Sequence, residues 1–184
     1  MHISPISPLF AAKITSVDLK KDLDGDTKEK LKSLLSEYAV LVFPEQFLGP
    51  ADLMRAGEIF GDLMPQQLQK YVLPDFPMVG YNSTKDLPLK DGKLQVRGEN
   101  YHTDHSNSVC PPKATALSAV TIPSIGGDTQ FVDVRQAFDD LPLSLQEKIL
   151  HLRSLHVHES SRSPRTFTKL SEEEFAKIPK VFQP

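Results

Sequence analysis

The chain has 184 residues, of which 39% are hydrophobic and 24% charged, and its formal net charge is -3. This length suits one globular domain over residues 1–184. With no run of Lys and Arg interleaved with aromatics, nucleic-acid binding is not expected. The longest apolar stretch, residues 39–43, is far shorter than the ~20 residues that span a bilayer, and no signal-peptide pattern opens the chain. We therefore expect a cytoplasmic protein without membrane contact.

The first part of the chain predicts strands and helices in alternation. Residues 12–19 alternate in hydrophobicity and predict a strand. Asp26 is the predicted N-cap of a helix. The continuous apolar run 39–43 predicts a strand buried on both sides, and Pro50 predicts the start of a second helix that stops at Gly61. One apolar face of the first helix is formed by residues spaced at i, i+3, i+4 and i+7: Leu31, Leu34, Leu35 and Tyr38.

The remainder of the chain predicts more strand than helix. Residues 62–100 are weakly patterned. The helical pattern predicts one helix that runs to about Leu150 and a short one capped by Ser171 and Glu174. Alternating hydrophobicity, with β-branched residues, predicts four further strands: 78–81, 114–122, 129–132 and 153–158.

The triplet His102-Thr103-Asp104 carries the strongest chemical signal. A histidine and a carboxylate two residues apart on a strand point the same way and can hold one metal ion. A ferrous oxygenase site needs two histidines and one carboxylate on one face of the metal. Alone, the triplet is close to a chance occurrence, but the following segment adds weight to it. Gly126-Gly127 permits a tight turn, and Thr129 offers a hydroxyl to an acidic ligand.

The ordered motifs of the chain together resemble a known family. At this spacing the chain resembles the N-terminal two-thirds of the TauD/TfdA-type dioxygenases, which use Fe(II) and 2-oxoglutarate and are typified by taurine dioxygenase. The resemblance implies a mainly β fold with flanking helices, a double-stranded β-helix or jelly roll like that of clavaminate synthase, with the C-terminal strands missing. The matching motifs, in chain order, are 12–19, 40–46, 60–61, 101–104, 111–112, 123, 126–131 and 152–156.

The resemblance also implies the roles of individual residues. His102 and Asp104 would bind Fe(II), and Thr129 would hydrogen-bond the distal carboxylate of the cosubstrate 2-oxoglutarate. In the family, the second histidine ligand and the arginine that pairs with the cosubstrate lie in a C-terminal portion beyond the matched motifs. No catalytic side chain apart from these binding residues is assigned. Three residues are candidates for substrate contact: Tyr101, His105 and Asn82.

Three functions remain compatible with the sequence. The first is a dioxygenase that hydroxylates a small anionic organic substrate and releases succinate and CO2. The second is an inactive truncated or split domain that acts as an interaction or remnant module. The third is a hydrolytic site in which His102, Asp104 and a histidine such as His156 or His158 hold zinc or manganese.

The implied fold has a physical consequence for association. A jelly roll that lacks several strands leaves unpaired edges and an apolar interior open to water. We therefore expect these 184 residues to be a fragment, a truncated gene product or one half of a split protein. A second copy or a partner chain would then complete the barrel.

Overall fold

The computed structural model describes residues 1–7, 10–66, 69–85, 92, 98, 100–157, 172–177 and 181–183. A 3-10 turn, Gln69–Tyr71, precedes the strand Val72–Leu73. Among the helices of the described residues, none has the length and apolar character needed to cross a bilayer. The strands are β1 His2–Ser7, β2 Ala11–Thr15, β3 Val40–Val42, β4 Val72–Leu73, β5 Phe76–Gly80, β6 Ser154–His156 and β7 Val181–Gln183. The helices are α1 Gly25–Tyr38, α2 Pro50–Glu58, α3 Val134–Asp139, α4 Leu143–Ile149 and α5 Glu172–Lys177.

The chain divides into two compact units. The first unit comprises Met1–Gln66, Val72–Val79 and Lys113–Asp133. The second unit comprises Gln67–Tyr71, Gly80–Pro112 and Val134–Pro184.

A three-stranded sheet in the order β1-β2-β3 organises the first unit. β1 pairs with β2 in antiparallel fashion, with His2 opposite Thr15. β3 pairs with β2 in parallel, with Ala12 opposite Leu41. Parallel neighbours need a long crossover connection, and α1 supplies it. The predicted first strand is therefore confirmed over Ala11–Thr15, and it ends where Ser16 adopts a φ of 60°.

The core of the first unit lies where α1 and α2 meet β2. Ala12 and Ile14 are buried while Lys13 between them is exposed, as the alternation of a strand requires. β3 is less buried than predicted, because it forms an edge of its sheet, and Val42 is 41% exposed. The buried cluster consists of Ala12, Ile14, Leu19, Leu31, Leu34, Ala56 and Ile59.

Helix α1 begins after Asp24, and the prediction that Asp26 is its cap is wrong. The extended backbone of Asp24 (φ -63°, ψ 161°) lets its side chain accept a hydrogen bond from the Thr27 amide at 2.8 Å. Asp26 instead lies in the first turn, where a carboxylate is favourable to the helix dipole. The helix ends at Tyr38, and its C-cap is Ala39. The φ of 57° at Ala39 turns the chain into β3, and the Ala39 amide donates to the Leu35 carbonyl.

The Asp24 cap predicts an acid-dependent loss of stability. Hydrogen bonds from Thr27 hold the pKa of the Asp24 carboxyl below its usual 3.8. Because the folded-state pKa is depressed, the stabilisation is present above the unfolded pKa and is lost as the pH falls through the folded one. We expect Asp24→Ala to melt a few degrees lower than the parent at pH 7. Melts followed by circular dichroism at pH 7 and pH 3 measure this difference.

Asp24→Asn is the matched control for the cap, since asparagine keeps a capping oxygen but does not titrate. It is expected to melt close to the parent at pH 7 and to show a smaller loss at pH 3. Equal melting temperatures for Asp24→Ala and the parent at pH 7 would contradict the role of the cap.

Gln46 connects the loops that follow β2 and β3. Its side-chain oxygen accepts from the Leu19 amide at 2.8 Å, and its amide nitrogen donates to the carbonyls of Val17 at 3.0 Å and Pro44 at 3.2 Å. Both neighbours, Glu45 and Phe47, have positive φ. The Gln46 side chain thus forms hydrogen bonds with three backbone groups in two loops. These groups lie outside the strands, so no sheet provides their partners.

In the second unit, two helices replace the single helix predicted to end near Leu150. Pro142 lacks an amide proton and disfavours helical backbone in the residue before it, so α3 stops at Asp139 and α4 starts afresh. The Gln146 side chain donates to the carbonyls of Asp139 at 3.1 Å and Leu141 at 2.8 Å across this break. The strand predicted over 153–158 is confirmed at Ser154–His156, which pairs antiparallel with β7.

The strands predicted at 114–122 and 129–132 do not form. A strand is stabilised by a hydrogen-bonded neighbour, and within the described residues no sheet includes either segment. Apolar side chains along them are consequently exposed, including Leu117 at 71% and Val120 at 91%. The described sheets have three, two and two strands, and the jelly roll stays a prediction.

The remaining predictions fall close to observed elements. The predicted strand 78–81 corresponds to β5, Phe76–Gly80, and Pro50 begins α2 as expected. α2 ends at Glu58, before the predicted stop at Gly61. A short helix occurs at Glu172–Lys177, and its predicted cap Ser171 lies outside the described residues. His158, a candidate ligand of the alternative metal site, also lies outside the described residues.

Candidate metal centre

His102 and Asp104 lie in a segment of the second unit without regular secondary structure. Residues 101–103 have no assigned secondary structure, and a turn starts at Asp104. The prediction that the triplet lies on a strand is therefore wrong. The two side chains nevertheless meet, since His102 Nε2 lies 3.2 Å from Asp104 Oδ1. Local coil geometry brings together the two groups that strand alternation was expected to align.

A second contact orients the imidazole of His102. Its Nδ1 lies 2.7 Å from the carbonyl oxygen of Asn100. A carbonyl oxygen can only accept, so Nδ1 carries the proton and, in the neutral ring, the lone pair belongs to Nε2. A metal-binding histidine is typically held in this way, with its other nitrogen donating to a backbone carbonyl. With Nδ1 held by this carbonyl, Nε2 faces Asp104.

The distance between the two donor atoms suits one divalent cation. Two atoms about 2.1 Å from one ion and at right angles to each other are separated by about 3.0 Å. The observed separation of Nε2 and Oδ1 is 3.2 Å. The side chains are 55% and 43% exposed, so an ion and further ligands can reach them from solvent. His102 and Asp104 thus fit adjacent positions of an octahedral site.

Gly98 lies close to the imidazole of His102. Its φ is 76°, and a Cβ added there would lie 3.3 Å from Cε1 of His102. A side chain at this position would be strained by the backbone and would press on the ring. The contact of His102 with the Asn100 carbonyl has no signal in the sequence, because a backbone acceptor does not depend on residue type.

The pair accounts for two of the three protein ligands expected. Among the described residues, no group of three or more His, Cys, Asp or Glu side chains is placed to hold a metal ion. His156 lies in β6 and does not join the pair. The alternative site that recruits His156 is therefore not formed by the described residues.

Thr129 and its turn belong to the first unit. Gly126 and Gly127 have φ of 72° and 78°, which glycine adopts readily, and the tight turn predicted for them stays a prediction. A Cβ on Gly127 would lie 2.9 Å from Cγ of Pro123, so only glycine fits there. Thr129 follows this turn and is exposed. Its predicted contact with 2-oxoglutarate stays a prediction.

The candidate substrate residues all belong to the second unit. Tyr101 is 66% exposed beside His102. Asn82 is exposed and follows Tyr81, whose ring meets that of Tyr71 edge to face with centroids 6.1 Å apart. His105 has a φ of 53°. Within the described part of the chain, its buried Nδ1 has no hydrogen-bond partner.

Comparison with known proteins identifies the family. The sequence model described as "Taurine catabolism dioxygenase TauD, TfdA family" matches residues 2–184. The chain belongs to the TauD/TfdA family. The resemblance seen in the motifs is therefore confirmed.

Relatives within the TauD/TfdA family include two dioxygenases named for aryloxy acids. The alpha-ketoglutarate-dependent 2,4-dichlorophenoxyacetate dioxygenase of Cupriavidus pinatubonensis is 31% identical over 98% of this chain and 67% of its own length. The (S)-phenoxypropionate/alpha-ketoglutarate-dioxygenase of Sphingobium herbicidovorans is 29% identical over 95% of this chain and 60% of its own length.

Solved structures agree with the TauD/TfdA assignment. A taurine dioxygenase from Burkholderia xenovorans has a TM-score of 0.71 and 27% identity over 86% of this chain. The match covers 54% of that structure. The chain thus spans between about half and two-thirds of the length of these three proteins.

Proposed function

We propose that this chain supplies part of the active site of an Fe(II)- and 2-oxoglutarate-dependent dioxygenase. Its reaction would hydroxylate a small anionic organic substrate and release succinate and CO2. The observation that carries the proposal is the His102–Asp104 pair, with Nε2 and Oδ1 3.2 Å apart and Nδ1 bound to the Asn100 carbonyl. The names of two relatives, for 2,4-dichlorophenoxyacetate and (S)-phenoxypropionate, support a carboxylate substrate.

The residues of this chain have separate tasks in the proposed site. His102 and Asp104 hold Fe(II), and the Asn100 carbonyl keeps the lone pair of Nε2 available to it. Bound Fe(II) supplies the activation of dioxygen coupled to oxidative decarboxylation of 2-oxoglutarate. Thr129 donates its hydroxyl to the distal carboxylate of that cosubstrate. Tyr101 and Asn82 contact the substrate.

Completion of the site by further polypeptide is part of the proposal. Polypeptide outside the described residues supplies the third ligand and covers the apolar segment 114–132. Two observations support this: the described residues form no three-ligand cluster, and Ile125, like Val120, is 91% exposed. The 184-residue chain alone is then expected to self-associate and to bind a hydrophobic dye. A monodisperse monomer that melts cooperatively and does not bind the dye would argue against completion.

The test of the proposed function is an anaerobic titration of Fe(II) and 2-oxoglutarate into the purified chain. A weak visible absorption band is expected when the cosubstrate chelates the protein-bound ion. His102→Ala should remove the band. His151→Ala, which changes an exposed histidine in the turn after α4, should keep it. A chain that gives no band would count against metal binding by these 184 residues alone. An undiminished band in His102→Ala would count against the proposed role of His102.

Thr129→Val gives a separate prediction for cosubstrate binding. Valine keeps the shape of the side chain but cannot donate to a carboxylate. Since a hydrogen bond to a charged group contributes about 1.5–3 kcal/mol, the affinity for 2-oxoglutarate should fall by about tenfold or more. The Fe(II) affinity should not change. Thr121→Val, at an exposed threonine of the same segment, is the control and should leave both affinities unaltered.

A further inference from the structure

The three-stranded sheet of the first unit has two edges that differ in protection. At one edge, β1 includes Pro5, which has no N–H, and its pairing with β2 is irregular between Pro5 and Ser7. Prolines and bulges of this kind keep other strands from pairing with an exposed edge. At the other edge, β3 consists of Val40, Leu41 and Val42, has no charged residue or proline, and pairs regularly with β2. Within this described sheet, β3 therefore offers the unprotected edge.

The backbone of Leu41 points to the outer edge of β3, the side away from β2. The Val40 amide donates to the Phe10 carbonyl at 3.2 Å, so the polar groups of Val40 face β2. Along a strand, the N–H and C=O groups of successive residues point to opposite sides, so Leu41 faces outward and Val42 faces β2 again. No strand of the described residues pairs with β3 on its outer side. Leu41 thus offers one donor and one acceptor to an extended chain.

The side chains of this segment also favour a further neighbour. Leu41 is partly buried against the core of the first unit, whereas Val42 is 41% exposed. Residues 39–43 form a continuous apolar run, which is typical of a strand inside a sheet rather than at its edge. An additional strand beside β3 would give this run the surroundings that its composition predicts.

The size of the outer edge indicates which chain occupies it. Three strand residues span about 10 Å, whereas stable interfaces between separate proteins bury about 1,600 Å². Two copies that met only at β3 would therefore not stay together. A chain that also covers the exposed apolar segment 114–132 of the same unit gains the area that β3 lacks. The dioxygenase of Cupriavidus pinatubonensis is matched over 67% of its length, so a third of it has no counterpart here.

We propose that the outer edge of β3 pairs with an extended strand of the further polypeptide that completes the site. The N–H and C=O groups of Leu41 make the hydrogen bonds, and β3 becomes an internal strand of the sheet. This inference rests on the proposed function, in which further polypeptide supplies the third metal ligand. It adds the place at which that polypeptide docks.

Proline variants test the orientation of the β3 backbone. Proline is tolerated in a strand only where its missing N–H has no partner. Leu41→Pro should melt within about 3 °C of Leu41→Ala, the control that also loses the leucine side chain but keeps the amide. Val42→Pro removes an amide that faces β2 and should melt at least about 6 °C below Leu41→Pro. Equal melting of Leu41→Pro and Val42→Pro would overturn the proposal, since the Leu41 amide would then be paired already.

A pull-down tests the occupant of the edge. The probe is the third of the Cupriavidus pinatubonensis dioxygenase that the match leaves out, co-expressed with the tagged parent chain or a variant. The parent and Leu41→Ala should retain the probe. Leu41→Pro should retain at least about tenfold less, because a backbone hydrogen bond is lost and the proline ring obstructs the approaching strand. Equal retention by Leu41→Pro and Leu41→Ala, or no retention by the parent, would overturn the proposal.

Hydrogen exchange separates this occupant from a second copy of the chain. In the chain alone, the Val40 amide should exchange slowly, because it is bonded to the Phe10 carbonyl, and the Leu41 amide should exchange rapidly. With the probe bound, both amides should exchange slowly. Protection of the Leu41 amide that rises with the concentration of the chain alone would assign the edge to a second copy and overturn the proposed occupant.

The outcomes distinguish failure of this inference from failure of the proposed function. The titration with Fe(II) and 2-oxoglutarate depends on His102 of the second unit, whereas β3 belongs to the first. A band that requires His102, together with equal retention of the probe by the two Leu41 variants, refutes the role of β3 alone. A parent that gives no band and retains no probe counts against both.

Discussion

Replacing His102 by alanine is expected to lower the Fe(II) affinity of the chain by more than about 100-fold. Loss of a group that only orients a metal-binding residue costs about 10- to 100-fold in affinity, and loss of the ligand itself should cost more. The imidazole supplies one of two donors that lie 3.2 Å apart. Anaerobic calorimetry with Fe(II), repeated with Mn(II), measures the change.

Two further variants test whether the donor atoms act as a pair. Asp104→Asn removes the negative charge but keeps an oxygen, so it should weaken metal binding less than Asp104→Ala does. Gly98→Ala should lower affinity without removing any donor, since its Cβ would lie 3.3 Å from His102 Cε1 on a backbone with φ of 76°. Equal affinities for the parent and His102→Ala would contradict the assignment of the metal site.

Local signals in the sequence were sufficient to predict the core of the first unit. The apolar spacing of α1 correctly indicated that Leu31 and Leu34 are buried. The choice between Asp24 and Asp26 as cap was not predictable, because both are good capping residues and the outcome depends on the backbone of residue 24. The spacing of apolar residues thus predicted the position of α1, while the backbone conformation of residue 24 determined the residue at which the helix begins.

The segment 114–132 shows where local signals fail. Its alternating β-branched residues do favour extended structure, but a strand forms only when a neighbour satisfies its backbone groups. A strand's neighbour can be distant in sequence, so the alternation of one segment cannot report whether a neighbour is present. Leu117 and Val120 accordingly remain exposed in the described structure.

The metal pair was predictable in composition but not in geometry. His102 and Asp104 meet as expected, although the strand proposed to align them is absent. The Asn100 carbonyl and the left-handed backbone of His105 could not be inferred, since neither depends on a recognisable motif. Contacts made by backbone atoms and by strained residues emerge only from the folded chain.

Leu31→Ala is expected to cause the largest loss of stability among the substitutions considered. Leu31 is fully buried between α1 and the sheet, in one cluster with Ile14 and Leu34. Truncating a buried leucine costs about 2–5 kcal/mol, because transfer free energy is lost and a cavity remains. Natural domains have only about 5–15 kcal/mol of stability, so much of the folded state should be lost. Urea unfolding followed by circular dichroism measures the shift in midpoint.

Leu117→Ala is the matched control, because it makes the same chemical change in the same unit at a side chain that is 71% exposed. In the chain alone it should change stability by less than about 0.5 kcal/mol. If further polypeptide covers segment 114–132, the same substitution should destabilise the completed assembly, since Leu117 is then buried. A loss for Leu117→Ala in the isolated chain that equals the loss for Leu31→Ala would contradict the placement of the core.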